Sequence, residues 1–403
     1  MQKKKVVWAG IISLFVIIAL GGLVSACFSP WKGDMGAFSI AIGNGGSGGS
    51  SRAVLPWDDS IDSNDLQHVI KLSGGPGPDQ TRTITGSGTV NFTVTPGNWY
   101  ITVEAYSVEK STEGGPPAKS LTAFSARSVN IKSGLNGTVS MEMWQVVSYW
   151  YDLESAIVAG ASTIALNGAY PYADWGVGST DPITINRPVT LIAVNNIDMT
   201  RLSGGSSFFS IEGGGSLTLQ AARGCTLILD GGGEANSGAP SLISVDNGGA
   251  LVMNDGVKLL NNYSGTSTYG GAVSIGDYGS IFTMNGGTIA GNTAGSGGGV
   301  AINAPNAGGS FIMRGGTISG NTAFGNGGGV YVGSGGRLRK TGGIIYGSDD
   351  VEGNANISTL PGQAVYVTPD ATGSVYTNRT QKQRDTTAGP SVNLDSDSAA
   401  WPK

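Results

Sequence analysis

The sequence predicts an all-β chain: a right-handed parallel β-helix preceded by a small β-sandwich, with a short helix capping the first coil. Three observations carry this expectation. First, Phe282-Thr-Met-Asn-Gly-Gly-Thr-Ile-Ala-Gly-Asn-Thr-Ala294 recurs almost letter for letter as Phe311-Ile-Met-Arg-Gly-Gly-Thr-Ile-Ser-Gly-Asn-Thr-Ala323. Self-similarity at a step of about 30 residues marks a solenoid. Second, each copy is followed by a Gly-Gly-Gly-Val turn, at Gly297–Val300 and Gly327–Val330. Third, Val90, Phe92 and Val94 alternate with polar residues, and Trp99, Ile101, Val103 and Ala105 do so after Pro96-Gly97-Asn98. Period-2 alternation with one apolar face is the pattern of a half-buried antiparallel hairpin.

In chain order, residues 1–26 have the layout of a secretory signal: Lys3, Lys4 and Lys5, then the apolar run Val6–Leu20, then small residues. The ending Val24-Ser25-Ala26-Cys27 resembles the lipobox of bacterial lipoproteins. The resemblance implies that Cys27 receives a diacylglyceryl group and becomes the first mature residue, with residues 27–34 as its lipidated tether. Several acyl chains at about 0.8 kcal/mol per buried CH₂ make a stable anchor. The membrane is then a partner through the lipid on Cys27, and the place is the bacterial cell envelope. Phe28 and Ser29 follow the cysteine with no Asp in second place, which points to the outer membrane, on its surface or its periplasmic face. The residues alone leave a second reading open, an uncleaved N-terminal membrane helix, because the apolar run is long enough to span.

With Cys27 acylated, Cys225 has no disulfide partner in the chain. In Cys225-Thr-Leu-Ile-Leu229 it shares parity with Leu227 and Leu229, so a small buried hydrophobe is expected there. The formal charge is −5, and loss of the three lysines with the signal makes the mature chain more acidic still. No basic patch stands out, so nucleic acid is not expected as a partner. His68 is the one histidine. It stands in an alternating apolar stretch and reads as a strand residue.

Residues 35–146 read as the sandwich. Besides the hairpin, strand-like runs occur at Ala37–Ile42, Val69–Leu72, Leu121–Ile131 and Thr138–Met143, with a Gly/Ser-rich linker at 43–52. The Phe-Thr-Val-Thr-Pro-Gly-Asn-Trp-Tyr-Ile-Thr-Val stretch at 92–103 resembles a corner of immunoglobulin-like or transthyretin-like modules. Trp144, Tyr149, Trp150 and Tyr151 form an aromatic group at the boundary.

Residues 147–370 read as the β-helix. Asp152-Leu-Glu-Ser-Ala-Ile-Val158 fits a short helix with Asp152 as N-cap and Leu153, Ala156 and Ile157 on one face. Leu251/Met253, Phe282/Met284 and Phe311/Met313 should point inward, followed by Ile289, Ile318 and Ile345 on a second strand. Val273/Ile275, Val300/Ile302 and Val330/Val332 make the third. Asn262, Asn292 and Asn321 fall in phase, which predicts an asparagine ladder at one corner. The helix, with the Ile-Thr-Ile and Val-Thr-Leu runs after it, resembles the opening of pectin-lyase-like β-helices. Gly-Gly-Ala-Val273, the Gly-Gly-Gly-Val turns and Phe282-Thr-Met-Asn285 resemble the Gly-Gly-Ala-Ile and Phe-x-x-Asn repeats of polymorphic outer-membrane proteins, which implies an adhesin-like role. The chain departs from that family at Phe311-Ile-Met-Arg314 and in its C-terminal tail, 371–403, which is too short and too polar for barrel strands.

The sequence assigns no catalytic residue, metal or cofactor. Asp230, Asp246, Asp255 and Asp277 stand singly in separate turns, and Asp349-Asp350 lacks the companions of a polygalacturonase site. The candidate ligand-binding residues are Tyr170, Tyr172, Asp174 and Trp175, three aromatics and a carboxylate in one short loop. Aromatic faces stack on sugar rings, so glycans or host and extracellular-matrix proteins are the expected partners. The leading expectation is a lipid-anchored adhesion or display scaffold. A polysaccharide lyase or hydrolase and an inert envelope spacer stay open beside it.

Overall fold

A computed structural model of the protein describes residues 35–42, 54–55, 58–62, 65–108, 119–168, 181–201, 205–236, 238–277, 279–303, 308–347, 353–360, 362–368 and 392–393. The chain divides into two compact units, residues 1–120 with 125–143, and residues 121–124 with 144–403.

The first unit is built of two sheets around one core. Gly36–Ile42 pairs antiparallel with Gly88–Val94 and parallel with Gly134–Ser140. In the other sheet Gln67–Ser73 lies between Gln80–Thr85 and Gly97–Val108, antiparallel to both. The alternating residues do what period 2 requires. Phe38 and Ile40 meet Val90, Phe92 and Val94 from one sheet, and Ile70, Leu72, Trp99, Ile101 and Val103 come from the other. Phe38 stacks on Phe92 at 5.6 Å. Trp99 satisfies its buried N–H on the Thr95 carbonyl at 2.9 Å. A Cβ on Gly75 would sit 2.2 Å from the Trp99 indole, so only glycine lets the turn close over that ring.

The second unit is a parallel β-helix. Its first ladder stacks Thr163–Leu166, Pro188–Ala193, Ser216–Ala221, Ala250–Met253, Ile281–Met284, Ser310–Met313 and Arg337–Lys340 in parallel register. The second runs Ile197–Thr200, Leu227–Asp230, Val257–Leu260, Thr288–Ala290, Thr317–Ser319 and Ile344–Ile345. The third runs from Ile183–Ile185 through Phe209–Ile211, Ile243–Val245, Val273–Ile275, Val300–Ile302 and Val330–Val332 to Val365–Val367. The repeated phrases stack in register, so Phe282 lies on Phe311 with centroids 4.8 Å apart and planes within 7°. The inward residues of all three ladders are buried in one continuous core. Val392–Asn393, from the segment read as a tail, pairs antiparallel with Ile344–Ile345.

The helix spans Trp150–Val158 and buries Trp150, Leu153, Ala156 and Ile157 in the core of the first coils. It begins three residues before the expected start. Its N-cap is Tyr149, in extended backbone and without a side-chain cap bond, and Asp152 is instead an acidic residue of the first turn. Trp150 draws the helix back because its ring is needed inside, packed on Phe208 at 5.9 Å and Phe209 at 5.7 Å. At the other end the Arg187 guanidinium donates to the Ile157 and Ala161 carbonyls, a cation at the negative end of the helix dipole.

One corner of the coil holds the asparagine ladder, longer than its repeat suggests. The backbone N–H of Asn262 donates to Asn292 Oδ1, that of Asn292 to Asn321 Oδ1, and that of Asn321 to Asn356 Oδ1, all at 2.9–3.0 Å. Side-chain amides repeat the last two links at 2.9 and 2.8 Å. Arg201, almost fully buried, donates to Asn262 Oδ1 and so ends the row.

Candidate functional site

A cleft of about 500 Å³ lies beside the asparagine corner, walled by Asp230, Glu234, Asn261, Tyr263, Gly291 and Thr293. It forms where one coil departs from the repeat. Asp230 ends a second-ladder strand with its side chain outward, and the chain then makes a 3₁₀ turn at Gly233–Asn236 before the next inward strand. That turn carries Glu234 to the rim.

The polar wall is built from short hydrogen bonds. Asp230 accepts from the Asn261 amide at 2.8 Å through Oδ2 and from the Gly232 N–H at 2.8 Å through Oδ1. Asn261 is left-handed, with φ of 53°, a conformation asparagine tolerates better than most residues. Gly291 occupies the same corner one coil on, and a Cβ there would come 2.7 Å from Asn261 Oδ1. Tyr263 is half-buried, held edge-on by Phe324 at 6.1 Å, and bridges to Thr293. The cleft thus offers two carboxylates, two side-chain amides, two hydroxyls and one aromatic ring, with no Arg, Lys or His in its lining. Such a set accepts and donates hydrogen bonds to a hydroxyl-rich ligand and has a ring against which a sugar can pack. Among the described residues no three His, Cys, Asp or Glu side chains converge to hold a metal ion.

The sequence read Asp230 as a lone carboxylate. The coil brings it together with Glu234, because the intervening glycines turn the chain back on itself. Glu234, Asn261 and Tyr263 were not singled out in the sequence. Their signal was the interruption of the repeat, not their residue types. Tyr170, Tyr172, Asp174 and Trp175 lie outside the described residues, as do Cys27 and Asp349-Asp350.

Two further expectations are placed by the structure. Cys225 is not a core residue. It lies half-buried in the turn before Leu227–Asp230, with its sulfur 3.3 Å from the Val194 carbonyl, and burial pushes its thiol pKa up. The shared parity with Leu227 fails because the strand starts only after it. His68 is buried in its strand, its Nδ1 without a hydrogen-bond partner. Burial pulls the imidazole below its ordinary value, against a hydrogen bond with the Gly86 backbone.

The fold and cleft define the class: a parallel β-solenoid with a polar lateral cleft. No family model matches the chain, and no curated protein and no solved structure matches it either.

Proposed function

We propose that this protein is a lipid-anchored bacterial envelope protein whose β-helix is a scaffold for surface binding, with the Asp230–Tyr263 cleft as a glycan-binding site. One observation carries the reading: polar and aromatic side chains gather where the coil breaks its repeat, while the repeated positions are consumed by stacking. The lipobox-like Val24-Ser-Ala-Cys27 supports the anchor, and the absence of Asp in second place after it, at Phe28-Ser29, supports an outer-membrane location. The aromatic loop Tyr170–Trp175, by its composition, is a second contact for glycans or host-matrix proteins.

The test is a glycan and matrix-protein array probed with the full chain in detergent, beside Asp230→Asn/Glu234→Gln, Tyr263→Ala and Trp175→Ala. Binding to neutral glycans is expected, weakened about tenfold by either cleft variant, which is the scale of one or two lost polar contacts. No binding on any array would favour the spacer. The paired carboxylates of the cleft also favour one alternative, a polysaccharide hydrolase. Release of new reducing ends by the wild type, abolished in Asp230→Asn/Glu234→Gln, would replace the binding reading with that one.

A further inference from the structure

A second set of departures from the repeat falls in the last coils, away from the cleft. Along the third ladder the outward position reads Thr184, Ser210, Ser244, Ser274 and Ala301, then changes to Tyr331 and Tyr366. The two rings stack with centroids 5.8 Å apart and planes within 11°. Tyr269 reaches in from an earlier turn and closes on Tyr331 at 5.5 Å, so three rings make one row. Gly333 lets the chain turn close to the coil below, since a Cβ there would come 2.9 Å from the Ile302 carbonyl oxygen.

The first ladder changes in the same coils. Its outward positions read Ser216, Ala250, Ile281 and Ser310, then Arg337. The neighbouring row reads Thr218, Val252, Thr283 and Ile312, then Arg339. Both arginines are exposed, and among the described residues neither guanidinium has an ion-pair partner. They stand two residues apart on one strand, roughly 7 Å, and face the same way. Val332 and the tight turn Gly333–Gly336 separate Tyr331 from Arg337 along the chain. In a chain of net charge −5, two guanidinium groups without an ion pair among the described residues, one turn along the chain from an aromatic row, are a local excess of positive charge.

We propose that this corner binds a linear anionic glycan, and that Arg337 and Arg339 take its carboxylate or sulfate groups while the tyrosine row supports its sugar rings. Guanidinium groups match such anions with paired N–H donors. Tyr331 and Tyr366 stack on each other and Tyr269 closes on Tyr331 at a tilt, which leaves no gap between neighbouring rings. The ligand they fit is therefore a chain laid along the row, not a sugar inserted between rings. The proposal shares the binding-scaffold reading but does not use the cleft.

The experiment measures binding of the full chain, in detergent, to immobilised heparin (sulfate-bearing), hyaluronan (carboxylate-bearing) and dextran (neutral). Binding to at least one anionic polymer is expected, stronger than any cleft-dependent binding to dextran, and the preferred polymer identifies the anionic group. Arg337→Gln/Arg339→Gln should weaken it about tenfold and flatten its salt dependence, as for a screened charge contact. Arg337→Lys/Arg339→Lys should keep the salt dependence with intermediate affinity. Tyr331→Ala/Tyr366→Ala should weaken binding without changing the salt slope, and Asp230→Asn/Glu234→Gln should leave it unchanged. A thermal transition unshifted in the arginine variants shows that the fold is intact. Absence of binding to both anionic polymers, equal binding to dextran, or indifference to the arginine and tyrosine variants would overturn the proposal. Neutral-glycan binding lost in the cleft variants alone would leave the cleft reading standing by itself.

Discussion

Asn321 shows how much one buried side chain does in a coil too thin to hold a second layer. Its amide donates to the Ser319 and Ile289 carbonyls at 3.0 Å and to Asn356, and its oxygen accepts from Asn292. Asn321→Ala leaves those groups buried and unpaired, so it should destabilise the β-helix by about 3 kcal/mol, read from denaturant unfolding. Asn262, Asn292 and Asn321 were legible because they recur at steps of 30 and 29 residues. Asn356 was not, because the last coil is longer and puts it 35 residues on. Arg201 was not either, since its partner is set by stacking and not by spacing. His68 gives a residue-scale prediction in pH. Its folded-state pKa lies below the ordinary 6.5, so the unfolded chain binds more protons in that window. The histidine's contribution is therefore complete above pH 6.5 and is lost as pH falls through 6.5 toward the folded value. A stability–pH curve of the first unit should show that decline, and His68→Gln should flatten it.

At the scale of elements, the corners are fixed by close approach of backbone to backbone. Gly298 belongs to the first Gly-Gly-Gly-Val turn, and a Cβ there would lie 2.5 Å from the carbonyl oxygens of both Gly328 and Thr322. Gly298→Ala should cost at least about 2 kcal/mol, because two coils must separate to admit it. Gly213→Ala meets open space and carries only the strain of its φ of 60°, about 1 kcal/mol. Thermal unfolding of the pair separates the two effects. Strand faces were readable at this scale, since Phe282/Met284 and Val300/Ile302 each keep one parity within their strand and all are buried, as is Ile289 between them. The helix start was not, because an aromatic demanded by the core outweighs a good capping residue. Arg337–Lys340 follows the same parity, yet Lys340 takes the inward place held by Met253, Met284 and Met313 and is fully buried. It donates to the Gly343 carbonyl, a contact that no sequence pattern announces.

At the scale of the whole molecule, the repeat builds the β-helix, and the proposed recognition falls to the residues that break it. The cleft at Asp230 and the Tyr331–Arg337 corner are both such breaks. The anchor is tested separately: labelled palmitate should enter the wild type and be lost in Cys27→Ala, and unchanged labelling would remove the lipid from the account. The central claim is that the cleft binds and does not turn over its ligand. Hydrogen–deuterium exchange of the full chain, with and without a neutral glycan retained on the array, tests it most directly. Slowed exchange at residues 230–234, 261–263 and 293, with the recovered glycan unshortened, is the predicted result. Slowed exchange elsewhere only, or a shortened glycan, would contradict it.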